Sequence, residues 1–140
     1  MNASQGHSKQ ADGVTLLLPW LDSNLSPNAR LHWAAKAKRT REYKAYVGIV
    51  VNDAMHQRGE GLEPPCTAQW VFVPPDKRRR DVDNMVSNTG MKAAVDACVL
   101  FGLLVDDNSK VLTWKQPEVW TAYPGLKGPG VVLLLDEVEG

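Results

Sequence analysis

A chain of 140 residues with a 44% apolar fraction has the size of one small domain and the means to fill a modest core. Lys and Arg balance Asp and Glu at 16 each, so overall basicity is excluded as an argument for a nucleic-acid partner and only the placement of charge can carry one. Residues 1–13 are polar and read as a loose tail rather than a signal peptide, and no apolar run approaches the ~20 residues of a membrane span, so the expectation is a soluble chain with one domain over residues 14–140.

Residues 14–18 (VTLLL), stopped by Pro19, read as a buried first strand, and the Ser, Asn and Pro of residues 23–28 as the loop after it. A long helix follows, with Ser26 or Asn28 as its cap and Gly59 past its last apolar turn. Tyr43, Tyr46, Val47, Val50 and Ala54 recur at helical spacing, which packs the second half of that helix on a core. Its first half carries Arg30, Lys36, Lys38, Arg39, Arg41 and Lys44 against the single acid Glu42, spread around the helix so that several must face solvent or a partner.

Residues 67–73 (TAQWVFV) are β-branched and aromatic enough for a second strand, ended by Pro74-Pro75. Residues 91–104 give a second helix with an apolar face, stopped near Gly102, and Asp106-Asp107-Asn108 is then a turn. Residues 111–114, 118–122 and 131–135 supply two or three further strands around the Gly- and Pro-rich stretch 124–130. The expected fold is α+β, two helices packed on a mixed sheet in the order β-α-β-α-β-β. Cys66 and Cys98 fall in strand and helix interiors without the pairing or histidines of a zinc site, so they read as free buried thiols suited to a reducing cytosol.

The chemistry concentrates around two acidic groups. In an extended segment residues i and i+2 point to one side, so Asp81 and Asp83 would present their carboxylates together. Close like charges are costly unless solvated or bridged by a cation, and Mg²⁺ prefers carboxylate oxygens. By itself Asp-x-Asp equally describes a solvated acidic loop with Asn84 capping a helix. Lys77, Arg78, Arg79 and Arg80 directly precede the pair, the arrangement needed to hold a polyanion against metal ions. The doublet Asp106-Asp107 could join them if the two turns fold toward each other; its bland alternative is a turn after a helix.

Taken together, Lys77-Arg-Arg-Arg-Asp-Val-Asp-Asn84, Met91-Lys-Ala-Ala-Val-Asp-Ala97 and Phe101-Gly-Leu-Leu-Val-Asp-Asp107 resemble the signature of RusA-type Holliday junction resolvases of phages and prophages. Asn28-Ala-Arg-Leu-His-Trp33 and its basic helix are similar to a segment such phage proteins carry near their start. The resemblance implies a RusA-like fold and a homodimer in the bacterial cytoplasm that uses Mg²⁺, or Mn²⁺, to make paired symmetric nicks across four-way or branched DNA. It implies Asp81, Asp83 and Asp107 as catalytic metal ligands, with Asp106 adjacent, and Lys92 as the functional lysine. Arg30, Lys36, Lys38, Arg39, Arg41 and residues 77–80 would then track phosphate backbones, with little sequence readout. Trp33 is a candidate to stack on an exposed base and His32 a candidate phosphate contact, whereas Tyr43 reads rather as core. His7 and His56 receive no role.

One departure from the family pattern concerns Lys92. Its counterpart in the best-known members follows the second aspartate by one helical turn, whereas Lys92 follows Asp83 by nine residues. A straight helix of that length would carry it roughly 13 Å away. Either residues 86–90 loop out before the helix begins, or Lys92 is an exposed lysine paired with Asp96 at i+4. The alternative to an enzyme is a branched-DNA-binding protein whose acids only shape the fold.

Overall fold

The computed structural model describes residues 13–27 and 29–138. The expected tail up to residue 12, with His7, lies outside them, as does Asn28. The strands are β1 (Gly13–Leu18), β2 (Cys66–Val73), β3 (Leu112–Trp114), β4 (Glu118–Val119) and β5 (Gly130–Glu137); the helices are α1 (Trp33–Arg58), α2 (Val82–Val86) and α3 (Thr89–Leu100). The architecture is α+β with a mixed sheet. Three α-helices replace the expected two, because the run after β2 makes a short helix of its own before α3 begins.

β5 lies at the centre, antiparallel to β1 on one side and to β2 on the other. Beyond β2 the chain lays down β3 and then β4 along the same edge, both parallel to β2. Between them Gln69 Nε2 donates to the Gln116 carbonyl at 2.8 Å, so a side chain satisfies backbone where the ladder is interrupted. The period-2 geometry of strands puts Leu16 and Leu18, Cys66, Ala68, Trp70 and Phe72, and Val131, Leu133 and Leu135 on one face, where they form the core.

α1 and α3 cover that face. Tyr43, Val47 and Val51 of α1 are buried at four-residue spacing, whereas Tyr46, expected inward, is 54% exposed because it lies off that stripe. Tyr43 is core, as read: its hydroxyl donates to the Pro19 carbonyl at 3.0 Å, and burial pushes its ionisation far above the ordinary range. The two helices meet closely at Gly48, where a Cβ would stand 2.9 Å from Phe101 Cε2. Cys66 and Cys98 are free and buried, and burial pushes the Cys98 thiol up to about 12.

α1 begins at Trp33, later than Ser26 or Asn28 would start it. Ser26 instead closes a 3-10 turn over Ser23–Leu25, and His32 is the helix cap, its Nδ1 accepting from the Ala34 amide at 3.2 Å. Gly59 ends the helix as expected, with φ +87°, a conformation that a side chain would strain. Among the described residues no helix is long and apolar enough to cross a membrane.

Candidate functional site

β2 stops at Val73 because Pro74-Pro75 cannot extend its ladder, and the basic run crosses the end of the sheet as a loop. Asp76 organises that loop: Oδ1 accepts from the Arg78 amide at 2.8 Å and from Arg80 Nη1 at 2.9 Å. These two bonds hold the Asp76 carboxyl below its ordinary ionisation range. Arg80 Nη1 also donates to the carbonyl of Arg78 at 2.9 Å, and its guanidinium lies 5.6 Å from the centre of the Trp20 ring. Only 13% of the Arg80 side chain is exposed. Arg80, expected as a phosphate ligand, is therefore the strut of the loop, while Lys77, Arg78 and Arg79 face solvent.

Asp81 and Asp83 do not form an extended i, i+2 pair. Asp81 caps α2, its Oδ1 accepting from the Asn84 amide at 3.3 Å, and Asp83 already sits in the first helical turn. The helix period of 3.6 separates directions that a strand would have aligned. Asn84 is thus the donor at this cap, not the cap itself. Two clefts flank α2. Asp81 and Asn84 line the first with Trp20, Arg78, Arg79 and Arg80. Val86, the last residue of α2, lines the second with Lys92 and Asp107, whereas Asp83 is exposed and lines neither of the two.

The nine-residue interval before Lys92 is resolved by a break. α2 ends at Val86 with Ser87 as its C-cap, and Asn88 caps a new helix, with Oδ1 accepting from the Gly90 amide at 2.8 Å. Asn88 is 1% exposed, and its Nδ2 donates to the Asp22 carbonyl at 2.8 Å, pinning the start of α3 to the loop after β1. Lys92 therefore lies in the first turns of α3. Its ammonium bonds Asp96 at 2.8 Å, the expected i+4 pair, and reaches Asp107 Oδ2 at 3.5 Å. The bond to Asp96, joined by the charges of Asp96 and Asp107, holds Lys92 above its ordinary range.

Asp106 is committed to its own turn, its Oδ1 accepting from the Asp107 amide and its Oδ2 from Asn108 Nδ2. The Asp107 amide, followed by the Asn108 side chain, keeps the Asp106 carboxyl below the usual range. Asp107 alone of the doublet lines the cleft. The donor chemistry of Asp81, Asp83 and Asp107 suits a hard divalent cation. Asp81 and Asp107 line different clefts, and among the described residues no three His, Cys, Asp or Glu side chains gather closely enough to hold a metal ion.

Of the basic residues on and before α1, Arg30, Lys38 and Arg41 are exposed and Lys36 is half-buried. Arg39 is tied to Asp22 at 2.9 Å. Trp33 is 76% exposed, its ring tilted against that of His32. Sequence reasoning missed an aromatic row on the core face. Trp114 stacks on Trp70 with ring centres 5.5 Å apart, Trp70 on Phe72 at 6.3 Å, and Phe72 meets Trp20 edge-on at 6.4 Å. Period-2 spacing on β2 signals the Trp70 and Phe72 step, but nothing local signals that the parallel pairing of β2 with β3 brings Trp114 alongside.

No family model matches the chain. It is similar to an uncharacterized protein of Xylella fastidiosa (strain Temecula1 / ATCC 700964), 34% identical over 77 residues, which are 52% of this chain and 48% of that protein. The chain thus spans about half the length of the relative it matches.

Proposed function

We propose that the chain is a RusA-like, Mg²⁺-dependent endonuclease of the bacterial cytoplasm that cuts four-way or branched DNA. The observation that carries this reading is the position of Lys92. Despite its long interval from Asp83, the break at Ser87 and Asn88 returns it to the cleft lined by Asp107 and by the end of the helix that bears Asp83. The quoted Arg-Arg-Asp-x-Asp-Asn block and its resemblance to the junction resolvases support the same reading.

Asp81, Asp83 and Asp107, with Asp106 adjacent, are the carboxylates proposed for Mg²⁺ or Mn²⁺; among the described residues they stand apart, and they must close on the cation when it binds. A cation bound by them would supply water activation and charge neutralisation at the scissile phosphate. The chain's own groups supply the rest. Lys77, Arg78 and Arg79, with Arg30, Lys36, Lys38 and Arg41, hold phosphates by charge. The Lys92 ammonium stabilises negative charge developing on the phosphate or the leaving oxygen. Water adds to phosphorus and the bond to the 3′ oxygen breaks, leaving a 5′-phosphate and a 3′-hydroxyl that a ligase can rejoin. A two-fold homodimer with one site per protomer fits paired symmetric nicks in a two-fold substrate.

One set of contacts favours a binding-only protein instead: Asp81 caps a helix and Asp107 pairs with Lys92, both ordinary structural duties of an acid. Incubating the purified protein with a synthetic four-way junction and with a linear duplex, each in Mg²⁺ or EDTA, separates the two. Symmetric nicks in the junction alone, and only with metal, are expected. Retention of the junction without cutting in either Mg²⁺ or Mn²⁺ would assign the chain to the binding-only class.

A further inference from the structure

Trp114 is 41% exposed on the short edge strand β3, whereas its stacking partner Trp70 is 4% exposed on β2. Trp114 borders a cleft that also holds a cationic side chain, so its open ring surface can stack a planar group. The opening here is a cleft of about 280 Å³ walled by these two rings and by Met91 and Val95 of α3. Its polar groups are Lys92 and Asp107. The volume falls near the lower end of small-molecule clefts, which start at ~300 Å³, so it admits one ring system and not a stacked base pair. An aromatic wall beside a cationic side chain matches the two halves of a nucleotide: a planar base with a π-face and an anionic phosphate.

We propose that this cleft receives one unpaired nucleobase of the DNA substrate, stacked on the open surface of Trp114, which Trp70 backs from within, with its phosphate toward Lys92. The inference rests on the branched-DNA reading and adds a source of selectivity to it. In a duplex the bases are held in the stack, and extruding one costs a few kcal/mol, least where pairing is already lost. A branch point with an unpaired base therefore fills the cleft most cheaply. The surrounding chain holds the wall in place: the Lys115 amide donates to the Ala68 carbonyl at 2.8 Å, fixing the strand end that carries Trp114.

The test uses the full chain in EDTA with a four-way junction carrying one unpaired 2-aminopurine at the exchange point, and a matched junction with the probe paired in an arm. Binding should quench the unpaired probe and leave the paired one unchanged. Trp114→Ala should abolish the quench and weaken binding of the unpaired-base junction about tenfold, the scale of one base stacked on an aromatic ring. Trp114→Leu keeps apolar bulk at the edge strand and should lose the quench with a thermal midpoint lowered by no more than about 4 °C, the loss of one aromatic pair, while Trp114→Phe should retain most of the quench. An unquenched probe at saturating protein, or Trp114→Leu binding as tightly as the parent, overturns the proposal. A second arm in Mg²⁺ keeps the two readings apart. Quenching without nicking would discard the nuclease and keep the base cleft, and nicking by the parent chain with the unpaired probe left unquenched would do the reverse.

Discussion

The ammonium of Lys92, on α3, stands 3.5 Å from Oδ2 of Asp107 in the turn that follows the same helix. Both side chains are well exposed, so the pair adds little to stability, and its interest lies in bringing a fixed positive charge to a candidate metal ligand. With its ionisation raised by Asp96, the lysine stays protonated through and beyond neutral pH. Lys92→Ala should slow single-turnover nicking by about a hundredfold, the scale of one removed transition-state donor. Junction binding in EDTA should stay within about threefold, since only one of many phosphate-facing charges is lost. Nicking within threefold of the parent would remove Lys92 from the chemistry.

Asp81 has two separable duties, as cap of α2 and as proposed metal ligand. Asparagine caps as well as aspartate, so Asp81→Asn should keep the fold while losing the negative charge. Asp81→Ala loses both and should be about 1 kcal/mol less stable, a fall of about 3 °C in the thermal midpoint. Neither variant should cut, and Asp81→Asn should bind the junction as tightly as the parent or more so, because repulsion of phosphate is reduced. Cutting by Asp81→Asn at the parental rate would free the carboxylate of any catalytic duty.

The contrast between these acids shows what could be read in the chain. The apolar runs of β1, β2 and β5 announced themselves because burial writes hydrophobicity directly into sequence, and Gly59 marked a helix end because few residues accept its φ. The site was less legible. Asp-x-Asp suits an extended pair as well as a helix start, and here the Asp81 cap and the backbone bonds of the turn it opens put Asp83 in the helix. Arg80 looked like its neighbours until Asp76 and Trp20 claimed it. Those are contacts made by a folded loop, and no periodicity encodes them. The same holds for His32, which caps α1 where Ser26 had the better propensity.

Asn88 is the one polar residue among the described residues that is buried, and it joins two elements. Its amide oxygen caps α3, and its amide nitrogen satisfies the Asp22 carbonyl. Asn88→Ala should cost about 2 kcal/mol, combining a lost cap with the loss of one of two hydrogen bonds to the Asp22 carbonyl, which keeps the Leu25 amide as a donor. Asn88→Ser restores the cap alone and should recover about 1 kcal/mol of that. Urea unfolding of the three proteins checks the order. Equal midpoints for the Ala and Ser variants would mean that the cap contributes nothing.

Asp22 gives the fold a pH-dependent strut. Burial works to raise its ionisation, but the Asn24 amide at 2.9 Å and the Arg39 guanidinium at 2.9 Å outweigh it and hold the carboxyl below its ordinary value. A folded value below the unfolded one contributes stability that is present above the unfolded value, near 4, and is lost as pH falls through the folded value. Asp22→Asn keeps an acceptor for the Asn24 amide and removes the charge facing Arg39. At pH 7 it should lower stability by about 0.5–1 kcal/mol, the discounted worth of a partly exposed ion pair. The gap in thermal midpoint between parent and variant should hold constant from about pH 7 to pH 5 and close below about pH 4, because the parent is then protonated too. Melting curves of both proteins across that range decide the matter, and a gap that persists undiminished below about pH 3 would show that the charge of Asp22 is not what stabilises the loop.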